Sequence, residues 1–207
     1  MGEPVRAEDV RDAVRAAVEV LRAGRDRDWS VRAGELDWTC WETVEHVADD
    51  LFAYAAQLAA ADTGGFLPFV VTPSRPGGEP TTIRAQPEAG TDGLFAVLSA
   101  CGELLVAAVT TASPGARGYH PFGLADAEAS AAMGVLETIV HVDDVARGLG
   151  LAWRPDDDLC ARVLARLMPD VELGEHRPWE VLRWATGRVE LPGRDRRTDW
   201  RWHNERP

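Results

Sequence analysis

Residues 125–148, "ADAEASAAMGVLETIVHVDDVARG", limit the possible folds more than any other segment. Met133, Val135, Leu136, Ile139, Val140, Val142 and Val145 spread around the whole circumference of a helix with about 100° between residues. A helix apolar on nearly all sides is buried. Yet one stripe of it carries charge. Counting from Glu137, His141 falls at about 40° and Asp144 at about −20°, beside the small residues Ser130, Gly134 and Gly148. Asp143 and Arg147 interrupt the apolar surface elsewhere. An unpaired carboxylate at such depth costs several kcal/mol or takes up a proton, so this stripe needs partners.

Three further segments have helical period. Residues 7–24 place Val10, Val14, Ala17, Val18 and Leu21 on one face and stop at Gly24. "TCWE" opens the next, with Thr39 and Glu42 spaced for a capping box, and that helix runs to about residue 61. The third covers 91–111. Four long helices predict a mainly all-α chain built as a four-helix bundle over residues 1–150. The 2–3 connection, "DTGGFLPFVVTPSRPGGEPTTIRAQPEAG", is too long for a bundle turn, and "FVVT" and "TTI" within it read as short strands. Residues 151–207 form a C-terminal extension with helices at 156–168 and 178–186, then a tail rich in Trp and Arg.

The formal net charge is −12, from 34 acidic and 22 basic residues, and every one of those basic residues is Arg. Such a surface repels phosphate backbones, which argues against a nucleic-acid partner. The N-terminus is charged from its first turn and has no unbroken apolar run, which predicts no signal peptide, no membrane span and a cytoplasmic location. Cys40, Cys101 and Cys160 are too widely spaced for a disulfide framework or a cysteine zinc site. Only Cys40, near His46 in sequence, is a candidate thiol. No phosphate loop, nucleophile elbow or deaminase signature is present.

Glu137 and His141, four residues apart, bring their Cβ atoms to about 5–6 Å on one face. That pair is either a hydrogen-bonded couple or two ligands of one cation. His46 is harder to place. Trp41, Val44, Ala48, Leu51, Phe52, Ala55 and Leu58 form the apolar stripe of its helix, and His46 lies opposite, among Glu42, Asp49, Asp50 and Gln57. By the wheel alone it is a solvated side chain. His120, in "GYHPFG", is either a residue at a cleft mouth or a loop histidine with a structural hydrogen bond. Tyr119 and Phe122 either line a pocket or pack under a loop. His176 and His203 read as surface residues.

"WETVEHVADDL" followed by "GYHPFGLADAEASAAMGVLETIVHVDDVARGLGLAW" resembles the DinB-like superfamily of metal-binding helical bundles. Within it, the pattern is similar to the branch named after mycothiol-dependent maleylpyruvate isomerase. That branch has a Trp shortly before a His on the second helix, matched by Trp41 and His46, then E-x-x-x-H-x-x-D on the fourth. The resemblance implies that His46, Glu137 and His141 ligate one divalent metal, zinc with nickel or iron as alternatives, and that Asp144 orients a ligand. It further implies an enzyme that activates mycothiol or a similar thiol, for transfer to a small electrophile or for cis–trans isomerisation. In the isomerase a larger C-terminal domain contributes an arginine. Here only residues 151–207 remain, and Arg147, Arg183 and Arg188 are available without matching a motif position. Two rivals stand beside this expectation. One is a hydrolase using metal-bound water; the other is a non-catalytic metal or small-molecule binding bundle, with dimerisation through exposed helix faces possible in either case.

Overall fold

The computed structural model describes residues 3–61 and 63–205. Among them the chain is mainly helical: α1 (Ala7–Arg22), α2 (Cys40–Ala60), α3 (Gly90–Thr111), α4 (Ala127–Leu149), α5 (Asp157–Leu167) and α6 (Pro178–Ala185). The two predicted strands reduce to an antiparallel pair, β1 (Thr72–Pro73) and β2 (Pro80–Thr81), joined Thr72 to Thr81 and Pro73 to Pro80. Prolines with no N–H to donate keep this ladder short.

Helices α1 to α4 pack on one another, and α4 touches each of the other three. Its close fit comes from missing side chains. A Cβ on Gly134 would stand 2.4 Å from Leu105 Cδ2, and one on Gly148 would stand 2.4 Å from the Arg32 carbonyl oxygen and 2.7 Å from Cys40 Sγ. Within Pro87–Thr111 an 18-residue window reaches a mean hydropathy of 1.9, and the helix is long enough to cross a bilayer. Here Leu94, Phe95, Leu98 and Leu105 are buried in the core that α3 shares with α1 and α2.

Local chemistry fixes the start of α2. Thr39 Oγ1 accepts from the Glu42 N–H at 3.1 Å, and the Glu42 carboxylate accepts from the Thr39 N–H at 2.9 Å. Acidic residues of α2 also hold the long connection. Asp49 Oδ1 accepts from the N–H groups of Thr82 (2.8 Å) and Ile83 (2.7 Å), Glu45 from Ala85 (3.0 Å), and Glu42 from Arg75 Nε (2.6 Å). That row of carboxylates, solvent-facing by its sequence pattern, is thereby occupied by the protein's own connection.

The segment after α4 folds back on the four helices. Trp153 Nε1 donates to the Ile139 carbonyl at 3.0 Å, and Arg162 pairs with Asp9 at 2.7 Å. Arg166 pairs with Asp126 at 3.0 Å, and the His203 N–H donates to the Leu167 carbonyl at 2.7 Å. One buried apolar cluster runs from Val5 through α4 to Trp202.

Candidate metal centre

The helical wheel fails for His46. Its side chain is only 18% exposed, because the polar face of α2 looks across at α4 rather than at water. One donor atom each from His46, Glu137 and His141 can be chosen so that all three lie within 4.8 Å of one another. Donors sharing one ion with bonds of about 2.0–2.2 Å must sit within about 4.4 Å, so only small shifts are needed. These residues could hold a metal ion.

The donors are linked to one another and to Asp144 by short contacts. His141 Nε2 lies 3.1 Å from Glu137 Oε2, and its Nδ1 lies 3.2 Å from Asp144 Oδ2. Asp144, 1% exposed, is in turn gripped by Arg147 Nη2 at 2.6 Å and Arg188 Nη2 at 2.7 Å. Burial pushes the Asp144 carboxyl up, but the His141 hydrogen bond and the Arg188 charge outweigh it and bring it down to about 2. A carboxylate–imidazole contact of this kind fixes ring orientation and tautomer. Burial opposes ionisation of Glu137 as well, yet its bond to His141 lowers it. His141 is raised, its bonds to Asp144 and Glu137 overcoming burial. His46 is lowered to about 4 by burial and by His141 nearby. It is therefore neutral at pH 7, the form that ligates metals.

Two groups near the donors carried no signal that the sequence pattern isolated. Asp50 Oδ2 is 3.1 Å from His46 Nε2, and the carboxyl is raised by burial and then by the Glu137 charge. Tyr54 follows one turn on, raised by burial and by Asp50 and Glu137. His46, Asp50 and Tyr54 are spaced i, i+4, i+8, a stripe visible in the sequence but masked by the acidic residues around it. The indole against His46 belongs to Trp38, with ring centroids 4.6 Å apart, and it also stands 6.0 Å from His141. Trp41, the tryptophan of the motif, is half-buried and packs on the core.

The other candidates fall elsewhere. His120 Nδ1 accepts from the Phe122 N–H at 3.0 Å, and its ring packs 5.3 Å from Trp202 and 6.0 Å from Tyr54. Burial lowers it to about 4. Phe122 lines the cleft over the donors, while Tyr119 packs on Phe66 at 5.0 Å. His176 and His203 are half-buried and stand outside the donor set. Cys40, Cys101 and Cys160 are free and buried; burial pushes Cys40 up to about 11, so it is no ready thiolate. Of the three arginines without a motif position, Arg188 and Arg147 hold Asp144, and Arg183 Nε lies 3.2 Å from Asp143.

The donors open into a cleft of about 550 Å³ between α2, α4 and the tail. That is within the range of small-molecule sites, about 300–1,000 Å³. A second hollow of about 480 Å³ between α1 and α3 has no metal-donor cluster among the described residues. No protein-family model, no curated protein and no solved structure matches this chain.

Proposed function

We propose that this protein is a metal-dependent enzyme of the DinB-like four-helix-bundle kind that activates a low-molecular-weight thiol, mycothiol or one like it. The thiol would be transferred to, or would isomerise, a small electrophile. The observation that carries the reading is the convergence of His46, Glu137 and His141 from two helices at the floor of one cleft. A divalent ion there, zinc in the first instance, supplies a Lewis-acid position that favours thiolate over thiol at neutral pH.

The chain's own residues do the rest. Two imidazoles and one carboxylate give a donor set suited to zinc, nickel or iron. Asp144 takes the Nδ1 side of His141 and leaves Nε2 toward Glu137. Arg147 and Arg188 keep Asp144 charged at a depth where a lone carboxylate would be protonated. Leu136 and Val140 line the same cleft beside the donors. The protein's own cysteines are buried, which favours an external thiol.

Elemental analysis of tag-free protein tests the metal reading. About one divalent ion per chain is expected for the wild type, and a sharp loss for both His46→Ala and Glu137→Ala. Equal metal content in all three would sink it. Turnover of an electrophile that requires added thiol separates thiol activation from hydrolysis.

A further inference from the structure

The cleft above the three donors has two chemically distinct borders. One is aromatic. Phe122, from the loop before α4, and Trp200 and Trp202, from the tail, stand side by side, with centroids 5.0 Å apart for Phe122–Trp202 and 6.2 Å for Trp200–Trp202. The other is basic, and its three arginines are not equally engaged. Arg188 gives Nε and Nη2 to Asp144 and Nη1 to the Thr186 carbonyl, so each of its three nitrogens has a protein partner. Arg147 Nη2 is committed to Asp144 as well. Arg196 stands at the rim: its Nε donates to the Gly187 carbonyl at 2.5 Å, and its Nη1 lies 2.7 Å from Glu35, in a pair whose side chains are 41% and 61% exposed. An exposed pair of this kind contributes little stability and exchanges partners readily.

Charge points the same way. The cleft is bordered by Arg147, Arg188 and Arg196 against Glu35, Glu137 and Asp144, a neutral balance on a chain of net charge −12. It is thus a gap in a strongly acidic molecule, and a divalent cation at its floor would make it locally positive. Small anions are drawn to such a place.

We infer that the cleft takes as its electrophile a planar aromatic molecule carrying one anionic group. The ring system packs on Phe122, Trp200 and Trp202, and the anion replaces Glu35 as the partner of Arg196. Offset or edge-on packing against the indoles supplies affinity for the body. The planar guanidinium fork supplies selection for a carboxylate. This inference rests on the reading that the electrophile binds over the three donors, but the recognition it describes belongs to the protein and does not need the ion.

Calorimetric titration with 2-naphthoate, its neutral isostere 2-naphthamide and acetate tests it, on EDTA-dialysed and on zinc-loaded protein. The metal-free wild type is expected to bind naphthoate about ten-fold more tightly than naphthamide, and acetate more weakly than either. Arg196→Gln should reduce that preference to within about two-fold, and Trp200→Ala should weaken both naphthyl probes equally, by about ten-fold. Thermal melting checks that each variant is folded. Equal binding of naphthoate and naphthamide by the wild type, or an undiminished preference in Arg196→Gln, would overturn the inference. A preference present only with zinc would also overturn it, because the carboxylate would then be reading the ion, and the proposed function would stand. A wild type that binds no metal yet keeps the preference would do the opposite: the inference would stand and the proposed function would fall.

Discussion

Helices α2 and α4 bring the same kinds of donor to one place by opposite routes. In α4, apolar residues surround the axis and every residue from Ala129 to Ala146 is buried. Its Glu137, His141 and Asp144 therefore sit at depth by virtue of their own helix. In α2, the side bearing His46 and Asp50 is polar, and its cover comes from elsewhere: from α4 across the cleft and Trp38 from the loop before it. The carboxylates of its outer face are covered in turn by residues 82–85 of the connection to α3. A charged group on an apolar helix announces that it needs a partner. The same group on a polar face gives no such sign, because its burial depends on distant segments.

If that contrast is right, removing a charge from α4 should cost the most. Asp144→Ala leaves the Arg188 guanidinium, whose side chain is 10% exposed, without its carboxylate. We expect a loss of about 3 kcal/mol in denaturant unfolding, since breaking a buried ion pair strands the remaining charge. Arg147 can fall back on Asp143, 3.3 Å away, which keeps the loss from being larger. A change under about 0.5 kcal/mol, the scale of an ordinary surface substitution, would show that the α4 stripe is not a buried one.

Next in size is Gly148→Ala, at the crossing of α4 and the start of α2. The added methyl would meet backbone, the Arg32 carbonyl at 2.4 Å, which cannot swing aside as a side chain does. About 2 kcal/mol of destabilisation is expected, within the usual overpacking range. Gly134→Ala is the control. Its nearest neighbours are Leu105 and Leu51 methyls, which can rotate, so it should cost less. If the two cost the same, backbone contact is not what sets the α2–α4 spacing.

These two helices also show what could be read in the sequence. The six helices follow from period and caps: Thr39 with Glu42, Pro178 at the start of α6, and glycine after α4 and near the end of α6. The Glu137–His141–Asp144 stripe was legible because a buried helix cannot tolerate idle charge. His46 was not legible by physics, because the side chains that cover its face come from residues far away in sequence. Its place came from the motif resemblance alone. Arg188, Trp202 and Arg196 were illegible for the same reason: nothing local to "ATGRVELPGRDRRTDWRW" says which cleft it closes. Asp50 was hidden among equally acidic neighbours, of which Glu42, Glu45 and Asp49 hold backbone or Arg75 instead.

Asp50→Asn sharpens the comparison on the α2 side. Among the described residues, His46 is the only hydrogen-bond or ion-pair partner of the Asp50 carboxylate, just as Asp144 steadies His141 on α4. Loss of such an outer contact weakens metal binding by about ten-fold, read by competition with a chelator. An unchanged affinity would mean that His46 is positioned by Trp38 and packing alone.

The smallest expected effect comes from Thr39→Ala. It removes one half of the cap on α2, where Thr39 Oγ1 accepts from the Glu42 N–H. A cap of this type contributes about 1 kcal/mol. Glu42 would keep its pairing with Arg75, so the entry of α2 should loosen rather than detach. His46 lies nearly two turns further in, with Thr43, Val44, Glu45 and Val47 buried around it. Helix fraying is confined to the first turn or so, which predicts a lower melting temperature with metal affinity unchanged to within about two-fold. Should affinity fall in step with stability, the imidazole of α2 would be held by the end of its helix. A local cap, and not distant segments, would then set the polar face of α2.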